Sequence, residues 1–298
     1  MSTPAPVRTR ILTRRQWQVR ARAHRDRVDE LAGPYLRRRA DGRKHPVIDF
    51  LFTYYGHKPA QLRRWHPGFG VALQDSEEYV DRRGYHRIEV DAATGPVCTA
   101  DPAFLDRRRD TVTFVTELLA ATATRPPQLS CFGLHEWAMV YHSDEVRHQQ
   151  VPLRLGRTGT DAVVESMSLR CTHFDAFRFF TPDAAPRNIE PLTRDDQIRR
   201  EQPGCLHAGM DLYKWAFKLI PLIDSELLLD CFALACDARE IDMRASPYDL
   251  TDFGYSPIAI ETPGGRADYV RAQSDLAARA TGLRTQLIQR CRGLLAED

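Results

Sequence analysis

Two strongly apolar stretches joined by a very short connection constrain this chain more than any other feature. Residues 206–220 and 225–244 each place apolar side chains around most of a predicted helix, and Pro221-Leu-Ile-Asp joins them. A connection this short favours antiparallel neighbours. A helix that is apolar nearly all round is buried. The sequence therefore predicts an antiparallel helical hairpin inside a mainly α fold of the α+β class.

Ionisable side chains interrupt both helices of this hairpin at helical spacing. They are His207, Asp211, Lys214 and Lys218 in the first helix, and Glu226, Asp230, Asp237, Glu240 and Arg244 in the second. Counting back from the connection pairs Lys218 with Glu226. The same count pairs Lys214 with Asp230. Because buried charges need partners, we expect a ladder of ion pairs, which is either structural or has an active site at its deep end.

Weaker patterns predict shorter elements and a small strand-containing region. The predicted helices cover residues 14–39 with a break near Gly33-Pro34, 45–55, 111–122, 134–146 and 266–296, and the predicted extended segments cover 85–90 and 168–180. A chain of 298 residues can bury a core of its own. We therefore expect a single globular domain over residues 1–298, with a basic N-terminal region at 1–66 and a site-bearing region at 131–250.

Composition and missing motifs narrow the functional class. The longest apolar run is broken by Asp230 and falls short of the roughly 18 residues that cross a bilayer. The N-terminus has no apolar leader, and the seven cysteines have irregular spacing without a CxxC pair. These features favour a cytoplasmic protein with reduced thiols and no membrane partner. The sequence contains no GxGxxG, GxxxxGK[ST] or GxSxG motif, which argues against hydride and phosphoryl transfer.

Positive charge is concentrated near the N-terminus. Residues 1–66 contain 16 Arg and Lys against 5 Asp and Glu, a net charge of +11, so the remaining residues carry −9. A basic region of this kind either binds nucleic-acid phosphates or presents a solvated helix face. The nucleic-acid-binding candidates in it are Arg14, Arg15, Arg37, Arg38, Arg63, Arg64 and Trp65.

Two further stretches contain histidine beside a carboxylate. His135 and Glu136 begin an HExxH zinc motif, but Met139 takes the place of the second histidine, so a zincin is rejected. In the second extended segment, His173 and Asp175 would point to the same side, among phenylalanines. Histidine with a neighbouring carboxylate can hold a metal or act as a general base.

These observations predict one buried catalytic site that several stretches of the chain share. Its candidate residues are His173, Asp175, His207, Asp211 and Asp237. Each lies in an apolar neighbourhood, where an isolated ionised group would be unfavourable. Convergence would satisfy these groups together and create a dry, polar pocket.

Six strings in the chain also carry a family resemblance. They are HPVIDFLFTYY from His45, RRWHPG from Arg63, CFGLHEWAMVY from Cys131, CTHFDAFRFFTP from Cys171, HAGMDLYKWA from His207 and DMRASPYDL from Asp242. Together they resemble a family of actinobacterial proteins commonly named 3-methyladenine DNA glycosylase, over nearly the whole chain. The resemblance implies a DNA-repair hydrolase that removes alkylated purine bases from DNA and requires no cofactor.

Excision of a cationic base would use particular residues of this chain. Base flipping requires aromatic stacking, and bond cleavage requires a carboxylate that positions water or stabilises positive charge. The stacking candidates are Trp65, Trp137 and Trp215, and the carboxylate candidates are Asp175, Asp211 and Asp237.

The residues alone support a metal enzyme equally well. Glu136, His173, Asp175, His207 and Asp211 would form an oxygen- and imidazole-rich site for iron, manganese or zinc. Helical di-iron oxygenases assemble such sites from facing helices, although Lys214 stands where their usual final histidine would be. This alternative is a metal-dependent oxygenase or hydrolase that acts on a small molecule. A third alternative is a non-catalytic DNA-binding or protein-binding module.

Overall fold

The computed structural model describes residues 9–92, 94–143 and 151–297, and within them the chain is mainly helical. The α-helices are α1 (Arg14–Ala40), α2 (Asp49–Thr53), α3 (Pro59–Leu62), α4 (Glu77–Val80), α5 (Pro102–Asp106), α6 (Arg109–Ala123), α7 (Leu134–Ala138), α8 (Gly156–Ser166), α9 (Phe174–Phe177), α10 (Gln197–Arg200), α11 (Leu206–Lys218), α12 (Ser225–Arg244) and α13 (Pro263–Leu295). The strands are β1 (Arg10–Leu12), β2 (Val71–Gln74), β3 (Tyr85–Glu89) and β4 (Pro96–Ala100). The predicted mainly α fold with a small strand-containing region is confirmed.

The predicted helical hairpin is present as α11 and α12. The Tyr213 and Phe232 rings lie 5.0 Å apart between centroids, and ligand atoms of His207 and Asp242 come within 4.8 Å of each other. Rising numbers on α12 thus oppose falling numbers on α11, so the two helices are antiparallel. Asp224 caps α12, where its Oδ1 accepts a hydrogen bond of 3.0 Å from the Leu227 N–H.

The predicted ladder of ion pairs along the hairpin is wrong. The observed pairs are Lys214–Asp175, Lys214–Asp211, Arg27–Asp230 and Arg20–Glu226. Apolar and aromatic side chains such as Tyr213 and Phe232 fill the space between the two helices. Glu226 and Asp230 of α12 instead pair with arginines of α1, and Asp237 pairs with Arg279 of α13. Spacing alone did not show which neighbour each stripe would meet.

The first helix has its predicted bounds to within one residue but is more regular than its pattern predicts. It starts with a capping box at Thr13, which satisfies backbone N–H groups of the first turn. The predicted break near Gly33-Pro34 does not occur, and the helix continues through Pro34. Proline removes one hydrogen bond from a helix, but Ala32 and Tyr35 beside it are buried in the core. Tertiary packing therefore holds this stretch helical.

The sheet has the strand order β1-β2-β4-β3, in which β1 and β2 are parallel and the other neighbours are antiparallel. The strand predicted over 85–90 is confirmed as β3, whereas the other three strands were not predicted. The sheet approaches the hairpin closely at Gly84, where φ is +86° and a Cβ would lie 2.8 Å from Cδ of Pro221. Glycine at this position permits both the backbone conformation and the close approach.

Two predicted elements near the histidines differ from the structure. The helix predicted over 134–146 ends with α7 at Ala138, and residues 144–146 lie outside the described part. The extended segment predicted over 168–180 contains α9 instead, with His173 at its N-cap. His173 and Asp175 therefore do not share a strand face. Phenylalanines at irregular spacing resemble a strand pattern, which explains the error.

The last helix, α13, covers one side of the main core. The 33-residue α13 packs against α6, α11 and α12, and its first turn is capped by Thr262, whose Oγ1 accepts a hydrogen bond from the Gly265 N–H. Tyr269, Leu276 and Ala280 on this helix are buried in the main core. Among the helices of the described residues, none is both long and apolar enough to cross a lipid bilayer.

Candidate metal centre

A histidine and an aspartate from distant stretches meet at the end of α12. His135 lies on α7, which follows Gly133 in the left-handed conformation at φ +71°. The Trp137 Nε1–H donates a hydrogen bond of 2.8 Å to the Ala245 carbonyl, which fixes α7 against the end of α12. This docking brings Nε2 of His135 to 2.8 Å from Oδ1 of Asp242.

His207 completes a group of three possible metal ligands. It lies in the first turn of α11, and its ring centroid is 4.5 Å from that of His135. One ligand atom from each of His135, His207 and Asp242 lies within 4.8 Å of the others. Ligands at 2.0–2.2 Å from a metal are roughly 3–3.5 Å from one another. The contact between His135 and Asp242 is near that spacing, and the ligand atom of His207 lies within 4.8 Å of both.

Two atoms of this group depend on each other as partners. Nε2 of His135 and Oδ1 of Asp242 form a buried ion pair at 2.8 Å, and neither atom has another hydrogen-bond partner among the described residues. A proton on His135 satisfies Asp242 in this pair, and a metal ion held by both side chains would take the place of that proton.

Electrostatics favour positive charge at this point. Burial acts to lower the pKa of His135, but the Asp242 carboxylate outweighs it and holds that pKa well above its usual range. Burial lowers the pKa of His207 to about 3, and the nearby His135 adds to the effect. His207 is therefore a neutral imidazole, the form that binds metals. A proton or a metal ion can supply the charge that Asp242 attracts.

Arg239 holds the aspartate from the other side. The Arg239 Nη1–H donates to Oδ2 of Asp242 at 2.9 Å and to Oε1 of Glu136 at 2.7 Å. All three side chains are buried, with Asp242 fully so. Arginine thus occupies one oxygen of Asp242 and leaves the other directed at His135. Outer contacts of this kind orient metal ligands.

A second group of three possible ligands lies beside the first. Nε2 of His173 is 3.3 Å from Oε1 of Glu201 and 3.4 Å from Oδ2 of Asp211, and all three side chains are buried. Neither ring nitrogen of His173 has a hydrogen-bond partner within the described chain. The rings of His173 and His207 are 5.4 Å apart, so the two groups are neighbours.

The second group is already partly satisfied by donors. Lys214 Nζ donates to Oδ2 of Asp211 at 2.8 Å and to Oδ2 of Asp175 at 2.9 Å, and the Tyr55 hydroxyl donates to Oδ1 of Asp211 at 3.0 Å. Burial acts to raise the pKa of Asp211, but Lys214 and then His173 hold it well below its usual range. Asp211 is thus an ionised carboxylate whose two oxygens each accept a hydrogen bond, and the small cavity between the helices borders the group around His135.

The structure brings together most of the predicted shared site. His173, Asp175 and Asp211 lie around Lys214, and His207 is next to His173. The prediction for Asp237 is wrong, because this side chain is half exposed and pairs with Arg279 at 2.7 Å.

Among the predicted metal ligands, Glu136 and Asp175 are engaged elsewhere. Glu136 is neutralised by Arg239, and Asp175 by Lys214 and Arg194. Glu201 and Asp242 are not among the predicted ligands, and the HExxH pattern at His135 is incomplete because Met139 replaces its second histidine. A signal for Asp242 was available, because it lies one turn after Arg239 in an apolar helix, where both charges need buried partners.

The aromatic candidates for base stacking are buried in the core. Trp65, Trp137 and Trp215 are 2%, 0% and 5% exposed. A buried ring cannot stack on a flipped base unless its own packing opens, so the structure does not present these rings as predicted. The Trp65 Nε1–H also donates a hydrogen bond of 3.2 Å to Glu226.

The basic candidates near the N-terminus lie mostly on the surface. Arg14, Arg15, Arg37 and Arg64 are exposed, and Arg38 is half-buried. Arg63 is also exposed but pairs with Asp29 at 2.9 Å. Together with the pairs that α1 forms with α12, this contact offsets part of the local positive charge.

No protein-family model, no curated protein and no solved structure matches this chain.

Proposed function

We propose that this chain is a metal-dependent enzyme that acts on a small molecule and holds a divalent transition metal with His135, His207 and Asp242. The observation that carries the proposal is the convergence of one ligand atom from each of His135, His207 and Asp242 to within 4.8 Å of the others, with the His135 and Asp242 atoms 2.8 Å apart in the interior. Two histidines and one carboxylate leave positions open on a metal, as catalytic iron and zinc sites require.

The residues around the three ligands would orient them, leave room for water and supply a proton. A bound metal supplies Lewis acidity and open coordination positions for water, oxygen or substrate. Arg239 orients the Asp242 carboxylate through the oxygen that does not face the site. A cavity of about 10 Å³ borders His135 and His207, which is room for roughly one water molecule. The His173 group beside it can hold or pass a proton close to the reacting atoms.

Elemental analysis of the full chain tests the proposal. The protein is equilibrated separately with iron(II), manganese(II) or zinc and then dialysed against metal-free buffer. We expect one of the three metals to remain at about one ion per chain. His207→Ala and Asp242→Asn should lose it, whereas His86→Ala, on β3, should keep it. Circular dichroism of each variant establishes that the fold is retained.

Either of two results would refute the metal site. The first is wild-type protein that keeps none of the three metals. The second is a folded His207→Ala and a folded Asp242→Asn that both keep the metal at wild-type stoichiometry. A content of two ions per chain would add the His173 group as a second site, and His173→Ala should then return the content to one.

The alkyl-base DNA glycosylase indicated by the resemblance is the second proposal. The observation in its favour is the buried pair of carboxylates, Asp175 and Asp211, which share Lys214. Release of 3-methyladenine from alkylated duplex DNA, in buffer with a metal chelator, would support it. We expect Asp211→Asn to stop that release while the fold is kept. Duplex binding without base release would instead support a non-catalytic DNA-binding module, and binding should then weaken steeply with salt.

A further inference from the structure

An open cleft lies at the opposite end of α11 from the His207 group. Its volume is about 800 Å³. Its walls come from the turn after α3, the turn between α4 and β3, the junction of α5 with α6, and the C-terminal end of α11. The charged side chains that line it are Arg64, Arg82, Arg83, Arg108, Lys218 and Asp81. Five cations thus face one carboxylate in a concave space.

Most of these cations have no acidic partner. Within the described residues, Arg64, Arg83, Arg108 and Lys218 form no ion pair, and Arg82 lies 3.7 Å from Glu78. Elsewhere in the chain arginines pair closely, as in the contacts of 2.6–2.9 Å that Arg154 makes with Glu261. Cations that converge without partners repel one another, and a bound anion would relieve that repulsion.

Aromatic rings hold several of the guanidinium groups in place. The Cζ atoms of Arg83 and Arg108 are 5.9 and 5.5 Å from the centroid of Phe104, and that of Arg82 is 4.0 Å from the centroid of Tyr79. A ring face attracts a guanidinium through its π electrons but takes up none of its planar N–H edge. Arg83 and Arg108 are therefore positioned while their donors remain free for a ligand, whereas Arg82 also lies near Glu78.

We propose that this cleft binds a small molecule that carries a diphosphate group. Planar arginine forks match phosphate oxygens in bidentate fashion, and several together suit two linked phosphates. The volume is in the range of small-molecule sites, roughly 300–1000 Å³. A nucleic-acid backbone would instead follow an extended basic groove.

The cleft is independent of the proposed metal centre. Lys218 is eleven residues beyond His207 on one helical stretch, a distance of roughly 16 Å at 1.5 Å per residue. The His207→Ala variant should therefore bind a diphosphate as the wild type does. Failure of the metal proposal leaves the cleft proposal standing, and the reverse also holds.

Isothermal titration of the full chain with inorganic pyrophosphate, at fixed ionic strength, tests the proposal. We expect saturable binding at one site. The double variant Arg83→Gln/Arg108→Gln should weaken it about 100-fold, since each charge-assisted contact contributes roughly tenfold. The control is Arg87→Gln/Arg107→Gln, which changes net charge equally and removes arginines that do not line the cleft.

Titrations with ADP and with a short DNA duplex identify the source of the phosphate. Binding of ADP and pyrophosphate that competes for one site and is lost only in the cleft variant supports the proposal. Absence of saturable binding by both small molecules overturns it. Equal weakening in the cleft and control variants overturns it as well, because the interaction is then a general charge effect. Duplex binding that depends on Arg83 and Arg108 and displaces pyrophosphate assigns the cleft to nucleic acid instead.

Discussion

Replacement of Arg239 by methionine should destabilise this protein more than most single substitutions. Arg239 is 1% exposed and is the ion-pair partner of Glu136, which is 4% exposed. Asp242 would keep His135 as a partner, but Glu136 would keep none among the described residues. Leaving one member of a buried pair unneutralised costs about 3–5 kcal/mol.

This free energy converts into a measurable change of melting temperature. An unfolding entropy of about 2.1 cal/mol/K per residue over the chain corresponds to roughly 0.6 kcal/mol per degree. Arg239→Met should therefore lower the melting temperature by roughly 5–8 °C. Scanning calorimetry or thermal circular dichroism measures it. The control Arg279→Met removes the half-exposed pair with Asp237 and should cost at most about 1 kcal/mol.

A double variant tests the cause of the loss. Arg239→Met/Glu136→Gln leaves no unpaired charge at the Glu136 position, so it should melt at a higher temperature than Arg239→Met alone. The reasoning is refuted if Arg239→Met melts no lower than Arg279→Met. It is also refuted if the second substitution fails to raise the melting temperature, because loss of the arginine's packing against Phe50, and not the unpaired Glu136, would then be the dominant contribution.

Two further predictions concern other parts of the fold. Burial and then Arg82 lower the pKa of His66 to about 3, so protonation favours the unfolded chain and stability falls as the pH drops below about 6.5. His66 should account for about 2 kcal/mol of the stability lost between pH 8 and pH 5, so in denaturant titrations His66→Gln should lose about 2 kcal/mol less than the wild type; an unchanged pH dependence in the variant would exclude this contribution. At the start of α13, a Cβ on Gly265 would lie 2.0 Å from the Ala259 carbonyl oxygen, whereas one on Gly264 meets nothing within 4 Å. Gly265→Ala should lower the free energy of unfolding by about 1–3 kcal/mol or more, whereas Gly264→Ala should raise it by up to about 1 kcal/mol. Equal melting temperatures for the two variants would contradict the close approach of Gly265 to Ala259.

The hairpin was predictable because its signal is local. Apolar side chains around both helices and the four-residue connection are sequence properties, and the observed α12 begins and ends at the predicted residues. The convergence of His173 with Asp211 was predicted from a weaker argument, that buried charges need partners. His173 and Asp211 do meet in the structure, even though the segment around His173 is not a strand.

The partners of each charged group were not predictable in the same way. Asp237 and Asp242 lie on one helix and look alike in sequence, yet the first meets Arg279 at the surface and the second meets His135 in the interior. The difference depends on where α7 and α13 dock, which involves residues more than 40 positions away. Periodicity specifies a helix face but not the element that covers it.

Because α13 is the last helix of the chain, its side of the small cavity beside His207 is synthesised last. Tyr269 and Gln273 on this helix line the small cavity beside His207, and Gln273 Nε2–H donates a hydrogen bond of 2.7 Å to the Gly204 carbonyl. Every residue of the His207 group leaves the ribosome before them. At about 5–20 residues per second, the stretch from Asp242 to the end of α13 takes roughly 3–10 s to translate. Until α13 has been made and has docked, the cavity beside His207 lacks the side that Tyr269 and Gln273 form.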